Sequence, residues 1–358
     1  MKMPVRIILW TVCAALMLAA PFVFSSPAML SEVKWEMMDQ LDQEDGGETD
    51  FGEEEGEELD FGRLFFSCAM AEEAEDGELI EEDSTVPFGE SVYELPLDFT
   101  VPPAPKKENY TENGYADETI RVSVEEREEN GVTWHLAFVQ IASPTQLRTA
   151  TAGKLTSRKT ASVKALARNN HAVVAINGDN FVDKPEKTTF EYRMTQKIRS
   201  KTNKTKDMLI IDENGDFHLV KAAPKNEQTA ALEAVAKEHT IVNAFTFGPA
   251  LVIDGEEQEI NKEYGYNPNG KEPRAAIGQT GELCYVLAVA EGRGESSGVT
   301  QQELAHFMYG LGCAQAFNLD GGNSAEMAFG EKVIKGQPGG AERGLSDIIY
   351  FATAVPEE

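Results

Sequence analysis

Ala314-Gln315-Ala316-Phe317-Asn318-Leu319-Asp320-Gly321-Gly322-Asn323-Ser324 joins two kinds of chain in one short stretch. An apolar run that reads as the end of a buried strand breaks into a loop of amide, carboxylate and hydroxyl side chains. Gly321 and Gly322 remove side chains where backbone N–H groups can approach an anionic ligand. Asn318, Asp320, Asn323 and Ser324 add donors and acceptors around them. Two readings stay open on these residues alone. One is a tight turn closing a hairpin, for which Asp-Gly is a common signal; the other is a polar site for a sugar or a phosphate.

The segment before this stretch, 300–311, is the best helix in the chain. Thr300 and Glu303 have the spacing of a capping box, and Leu304, Phe307, Met308 and Leu311 share one face. Further helices are expected over 162–169 and 228–238. Strands are expected over 119–124, 132–141, 171–176, 208–211, 217–220, 241–247, 250–253, 275–279, 283–290, 326–329 and 347–353. Asn130-Gly131 and Asn214-Gly215 supply hairpin turns between neighbouring runs. Many strands with few scattered helices predict an α+β fold, with mixed β-sheets and a few packed helices in a single globular domain.

Charge divides the 358-residue chain. Residues 32–83 hold 22 Asp and Glu against 2 Lys and Arg, so this stretch carries −20 of the formal −29 and leaves −9 for the rest. High charge with few apolar residues predicts a disordered, self-repelling linker over 29–105. Residues 1–28 combine Lys2 and Arg6 with an apolar run over 7–24, the pattern of a signal peptide or a signal anchor. Either reading places the folded domain, 106–358, outside the cytoplasmic membrane, at the cell surface or free of it. No basic patch of the needed size appears, so no nucleic acid is expected as a partner. Of the four cysteines, only Cys284 and Cys313 fall in the domain, where they either pair or stay buried.

Polar clusters recur at the ends of the expected strands. Asn177-Gly178-Asp179-Asn180 follows one, Arg274 opens another after Pro273, and Gly292-Arg293 follows a third. The Asn318 loop follows its own strand, and Arg343 and Asp347 flank the last. Loops held at strand ends by a rigid sheet are where sites usually form.

In their order, these blocks are similar to the phosphodiester glycosidase family. The resemblance also uses Phe247-Gly248-Pro249-Ala250-Leu251, Pro273-Arg274-Ala275-Ala276-Ile277-Gly278, and the run from Ser297 to Ala305. Arg343 with Ser346 completes it, and together the blocks span 119–353, nearly two-thirds of the chain. The chain departs from the family's pattern at Asp179, Asn180, Glu272, Asn323, Ala325 and Glu326. Those positions belong to the implied pocket and bear on substrate choice.

The resemblance implies hydrolysis of glycosyl-1-phosphodiester linkages, with a surface or extracellular glycopolymer as substrate. The alternative is a non-catalytic carbohydrate-binding or envelope-organising module on the same fold. Asp320 is the first candidate for a catalytic carboxylate and Asp179 the second. Arg274 and Arg293 suit a phosphodiester through charge-assisted hydrogen bonds. Asn177, Gly178, Asn318, Gly321, Gly322, Asn323, Ser324 and Arg343 complete the expected substrate-binding set. No cofactor is expected. His135, His171, His218, His239 and His306 have no metal-ligand spacing such as HExxH, and a divalent cation on Asp179 or Asp320 is the lesser alternative.

Overall fold

The computed structural model describes residues 100–155, 157–179 and 189–356. The expected signal or anchor, nearly all of the acidic linker, and Asn180 lie outside the described residues. Within them, local turn chemistry sets the first hairpin. β1 (Gly114–Ala116) leads into β2 (Ile120–Glu129) and β3 (Val132–Ile141), which pair down to Glu129 opposite Val132. Asn130 and Gly131 close that pair with φ of 52° and 73°. Two left-handed residues match the right-handed twist of the strands they join.

The largest sheet has eight strands. It continues from β3 to β14 (Cys284–Ala290), β13 (Arg274–Gly281), β15 (Gln315–Asn318), β11 (Ala250–Ile253) and β12 (Glu256–Glu257). A second sheet runs β17 (Lys332–Lys335), β16 (Glu326–Phe329), β5 (Ala172–Asn177), β18 (Asp347–Ala352), β4 (Leu147–Thr151). The third runs β7 (Gln196–Ser200), β6 (Phe190–Arg193), β10 (Ile241–Phe247), β8 (Asp207–Asp212), β9 (Phe217–Val220).

Each sheet turns one face to a shared core and is covered on the other by one helix. Val122, Val139, Ile277, Leu287 and Phe317 of the first sheet meet Val174, Ile176, Ile349 and Phe351 of the second. Leu209, Ile211 and Phe245 of the third join them. On the outer faces, α1 (Val163–Asn169) sets Val163 and Leu166 on Ala175, Ile348 and Tyr350. Leu232 of α2 (Lys225–Glu238) packs on Met208, Ile210 and Ala244. Leu304, Phe307 and Met308 of α3 (Gln301–Gly310) cover Leu136, Ala276 and Ala288. The two-residue side-chain period explains the division: Val174 and Ile176 face inward, and Ala175 between them faces its helix.

The fold is α+β and dominated by sheet, but the sheets are not mixed. Every pairing among the described strands is antiparallel. Parallel neighbours need a long crossover, usually a helix. The described residues contain three such crossovers, yet each one skips a strand. α1 joins β4 to β5 with β18 between them, α2 joins β9 to β10 with β8 between, and α3 joins β14 to β15 with β13 between.

One further expectation is settled by the packing. Cys313 is buried with a free thiol, while Cys284 is disulfide-bonded, so these two do not pair. Among the described residues no helix is long and apolar enough to cross a membrane.

The capping box at α3 forms as its spacing predicts. The Glu303 N–H donates to Thr300 Oγ1 at 3.1 Å, and the Thr300 N–H donates to Glu303 Oε2 at 2.7 Å. Further along, the helix carries the stacked Trp134–Phe307 contact, with ring centroids 3.5 Å apart, that joins α3 to the large sheet. Thr300→Ala removes one side-chain cap and is expected to lower stability by about 1 kcal/mol in urea unfolding, with an unchanged m-value.

Candidate active site

The three sheets bring polar strand ends together at one place. Arg193 ends β6 of the third sheet, Asn177 ends β5 and Asp347 begins β18 of the second, and Asp320 follows β15 of the first. A narrow cleft there is lined by Asn177, Gly178, Asp320, Ser324, Gly344, Leu345, Ser346 and Asp347.

Beneath the cleft lies a buried charge cluster. The Arg193 side chain is fully buried, and its Nη2 donates to Asp179 Oδ1 and approaches Asp347 Oδ2, each at 2.8 Å. Its Nε donates to Asp347 Oδ2 at 2.9 Å, and Nη1 reaches Glu191 Oε2 at 3.4 Å and the Ala244 carbonyl. The guanidinium lies 4.0 Å from the centroid of the Phe245 ring. Burial alone would lower the pKa of this arginine. Asp347, Asp179 and Glu191 reverse that and hold its pKa above the ordinary value.

The carboxylates respond in turn. Burial, with the charge of Asp179, pushes Glu191 well above the usual range against the pull of Arg193. As a carboxylate, Glu191 leaves Oε1 buried with no hydrogen-bond partner. As a carboxylic acid it donates to Asp179. Burial also raises Asp347, against Arg193 and the Ser346 hydroxyl that donates to its Oδ1 at 2.8 Å.

Gly178 is fixed by this cluster, because a Cβ there would overlap the Asp347 carboxylate. Asn177 is fixed by the neighbouring backbone. Its Nδ2 donates to the Asp320 carbonyl at 2.7 Å and to the Gly178 carbonyl at 3.0 Å, and its Oδ1 accepts from the Glu326 N–H at 3.2 Å. The side chain expected to orient a sugar instead ties β5 to β16 and to the Asp320 loop.

Asp320 is the acidic group that opens to the cleft. Burial lifts it to about 6, and the charge of Asp179 acts in the same direction. The Ser324 hydroxyl, the charge of Arg343 and the Gly321 N–H act against the rise. Asp179 does not share this opening: its side chain has no exposure, Oδ1 takes Arg193 and Oδ2 accepts from the Thr246 N–H at 3.0 Å. That geometry supports the site from below.

The glycines of the loop serve packing rather than anion capture. The Gly322 N–H donates to the Pro273 carbonyl at 2.8 Å, the Asp320 N–H to Gly178 at 3.2 Å and the Ser324 N–H to Gly321 at 3.1 Å. A Cβ on Gly321 would lie 2.8 Å from the Pro273 oxygen, and Gly322 has a φ of +60°. Asn318 donates through Nδ2 to the Gly248 carbonyl at 2.7 Å, and its Oδ1 is buried with no hydrogen-bond partner.

The arginines divide by role. Arg274 does not face the cleft. Its guanidinium donates to the carbonyls of Val299, Tyr266, Asn267 and Gly270 at 2.7–3.2 Å, and so pins the 266–270 loop. Arg293 stays exposed. It donates to Glu272 Oε2 at 2.6 Å and Asn323 Oδ1 at 2.7 Å, beside Gly322. Burial pulls Glu272 upward, but its bonds to Arg293 and Asn267 hold it below the usual carboxylate range. Arg343 is exposed, with its backbone N–H on Glu326 Oε1 at 3.3 Å and its charge acting on Asp320.

Sequence reasoning missed Arg193 and Glu191 altogether and gave Asp347 no role. The available signal was faint: Glu191 and Arg193 are two residues apart, hence on one face of a strand, in a segment that looks too polar for one.

Comparison with known proteins places this site in context. Residues 170–352, just over half of the chain, match the family model described as phosphodiester glycosidase. The SPbeta prophage-derived uncharacterized protein YomE of Bacillus subtilis (strain 168) is 35% identical over 111 residues. That match covers 31% of this chain and only 17% of YomE. Among solved structures, the zebrafish N-acetylglucosamine-1-phosphodiester alpha-N-acetylglucosaminidase catalytic domain, auto-inhibited by its pro-peptide, superposes with a TM-score of 0.51. It is 15% identical, with 70% of this chain and 87% of that one covered, and it shares the fold. A hypothetical protein from Synechocystis aligns with a TM-score of 0.45 and 16% identity over 65% of this chain and 62% of its own.

Arg193→Met would leave a cluster of buried acids without their cation. It is expected to cost about 3–5 kcal/mol in denaturant unfolding or to abolish folding. A loss under about 1 kcal/mol would show that the cluster is not held by this arginine.

Proposed function

The chain belongs to the phosphodiester glycosidase family, and from that premise we propose that it hydrolyses glycosyl-1-phosphodiester linkages with Asp320 as the acting carboxylate. One observation carries this reading: Asp320 lines a polar cleft with its pKa lifted to about 6, chiefly by burial. A carboxylate raised this far is a better base than an ordinary aspartate and is still mostly ionised at neutral pH.

A phosphate leaving group is already acidic, so protonation of the departing oxygen is a small part of the demand. The larger part is on the attacking side. Ionised Asp320 takes a proton from a water molecule as the water oxygen attacks the anomeric carbon. The bond from that carbon to the phosphate oxygen breaks, releasing the sugar and a phosphomonoester. Arg343 sets positive charge near Asp320, and Arg293, from the loop after β14, lies against Gly322; these guanidinium groups are the ones available to a phosphate that gathers negative charge as it leaves. The phosphate role expected of Arg274 passes in this reading to Arg343. Asp179, Asp347 and Arg193 hold the floor of the cleft.

The substrate in this reading is a surface or extracellular glycopolymer. Support comes from the charged then apolar N-terminal run over 1–28 and from the acidic spacer that follows it.

The test is to incubate the full chain with N-acetylglucosamine-1-phosphodiesters and other sugar-1-phosphodiesters and to measure the released sugar. The expected kcat/KM rises with pH through about 6. Asp320→Asn lowers turnover by roughly 100-fold or more, and Arg343→Ala raises KM. Loss of turnover in Asp320→Asn is separable from unfolding by its sign. A carboxyl whose folded pKa lies above its unfolded value of 3.8 favours folding below that value and loses the contribution as pH rises through about 6. The variant therefore gains stability on the order of 2 kcal/mol above pH ~6 and none below pH ~4. Tight binding of a sugar phosphate with no release, unchanged in Asp320→Asn, would make the domain a carbohydrate-binding module instead.

A further inference from the structure

Three residues with no common motif converge on the third sheet, well away from the cleft. Asp212 ends β8, His218 lies in β9, and His239 follows α2. Both imidazoles point at one carboxylate oxygen: His218 Nε2 and His239 Nδ1 each lie 2.9 Å from Asp212 Oδ2. The three ligand atoms all fall within 4.8 Å of one another, and the two rings are 4.7 Å apart between centroids.

Local bonding holds this arrangement in place. The other oxygen of Asp212 accepts from the Asn214 N–H at 2.8 Å and the Asp216 N–H at 3.0 Å, which fixes the plane of the carboxylate. Glu213 Oε2 accepts from the Thr240 N–H at 2.6 Å, so the hairpin loop grips the segment that carries His239. The carboxylate is buried, whereas the His218 and His239 side chains keep 26% and 30% exposure. Ions therefore have a route in, and a water molecule has room to complete the coordination.

The distance from the proposed active site follows from register. Thr246, which donates to Asp179, pairs with Met208, whereas Asp212 pairs with Ile241 at the other end of the same strand pair. Five residues of strand separate the two ends, roughly 17 Å.

We propose that Asp212, His218 and His239 form a binding site for a divalent transition cation of the zinc class. Two imidazole nitrogens and one carboxylate oxygen are the donor set that such ions take with three protein ligands and an open position. Calcium and magnesium prefer oxygen alone and are a poor match. Ligand atoms around a tetrahedral zinc lie roughly 3.3 Å apart, so the present 2.9 Å contacts need to open by only a few tenths of an ångström. Each imidazole then presents a lone pair where it now presents an N–H. The bound ion joins the β8–β9 hairpin to the end of α2. The inference is independent of the reading of the cleft.

The experiment uses the full chain without a histidine tag, stripped by chelator and titrated with Zn²⁺ against a chromophoric chelator. Co²⁺ is titrated in parallel for its visible absorption. The expected result is one equivalent bound, with a rise in thermal midpoint that grows with Zn²⁺ concentration. His218→Ala and His239→Ala should each weaken binding beyond the roughly 10–100-fold that loss of an outer-shell partner costs. Chelator-treated variants are compared by urea unfolding. If an alanine variant fails to fold, the glutamine variant at the same position takes its place. No binding by the parent, or binding equal to the parent's in both histidine variants, overturns the proposal.

Discussion

The rest of the site depends on one buried cation. A guanidinium taken out of water is tolerated only where acidic side chains and carbonyls surround it, and Arg193 has three acidic side chains and the Ala244 carbonyl within reach. These partners come from two sheets: Glu191 and Ala244 from the third, Asp347 from the second. Asp179, just beyond β5, joins them. The ion cluster therefore fixes how those sheets meet, and local details follow from it. Gly178 must lack a side chain because Asp347 occupies the space, and Asp179 is oriented between Arg193 and the Thr246 amide.

Asp320 reads the charge of this floor without being part of it. Asp179 adds to the effect of burial and lifts the Asp320 carboxyl, while Arg343 and Ser324 limit the rise. The loop that carries Asp320 is rigid for a simple reason: its backbone N–H groups bond to Gly178, Pro273 and Gly321 of the protein itself. Hydrogen bonds to fixed groups hold a carboxylate in place better than side-chain packing on a mobile loop does. The cleft thus sets a held carboxylate above a buried ionic support.

Much of the fold was legible because it is local. The Asn130-Gly131 turn and the capping box of Thr300 with Glu303 are each written in nearby residues, and each forms. The order of strands is not local. Nothing in the helical crossovers reveals that each skips a strand, so sheets that look mixed in sequence are antiparallel in space. The strands β6 and β7 escaped notice because Glu191, Arg193, Lys197 and Arg199 break the apolar alternation that signals a strand. The candidate site shows the same limit. Asp320 was legible as a carboxylate between a leucine and two glycines. Arg274 looked like a phosphate ligand because an arginine at a strand end suits one, yet nearby carbonyls take its donors. Its partners in the 266–270 loop are close in sequence, but side-chain direction is not readable from spacing alone.

The central claim is that water, activated by Asp320, attacks carbon rather than phosphorus. Hydrolysis of a sugar-1-phosphodiester in ¹⁸O-labelled water tests it most directly, with mass spectrometry of both products. The account predicts the label on the anomeric oxygen of the released sugar and none on the phosphomonoester. Label on the phosphate would mean cleavage of the P–O bond and would contradict it.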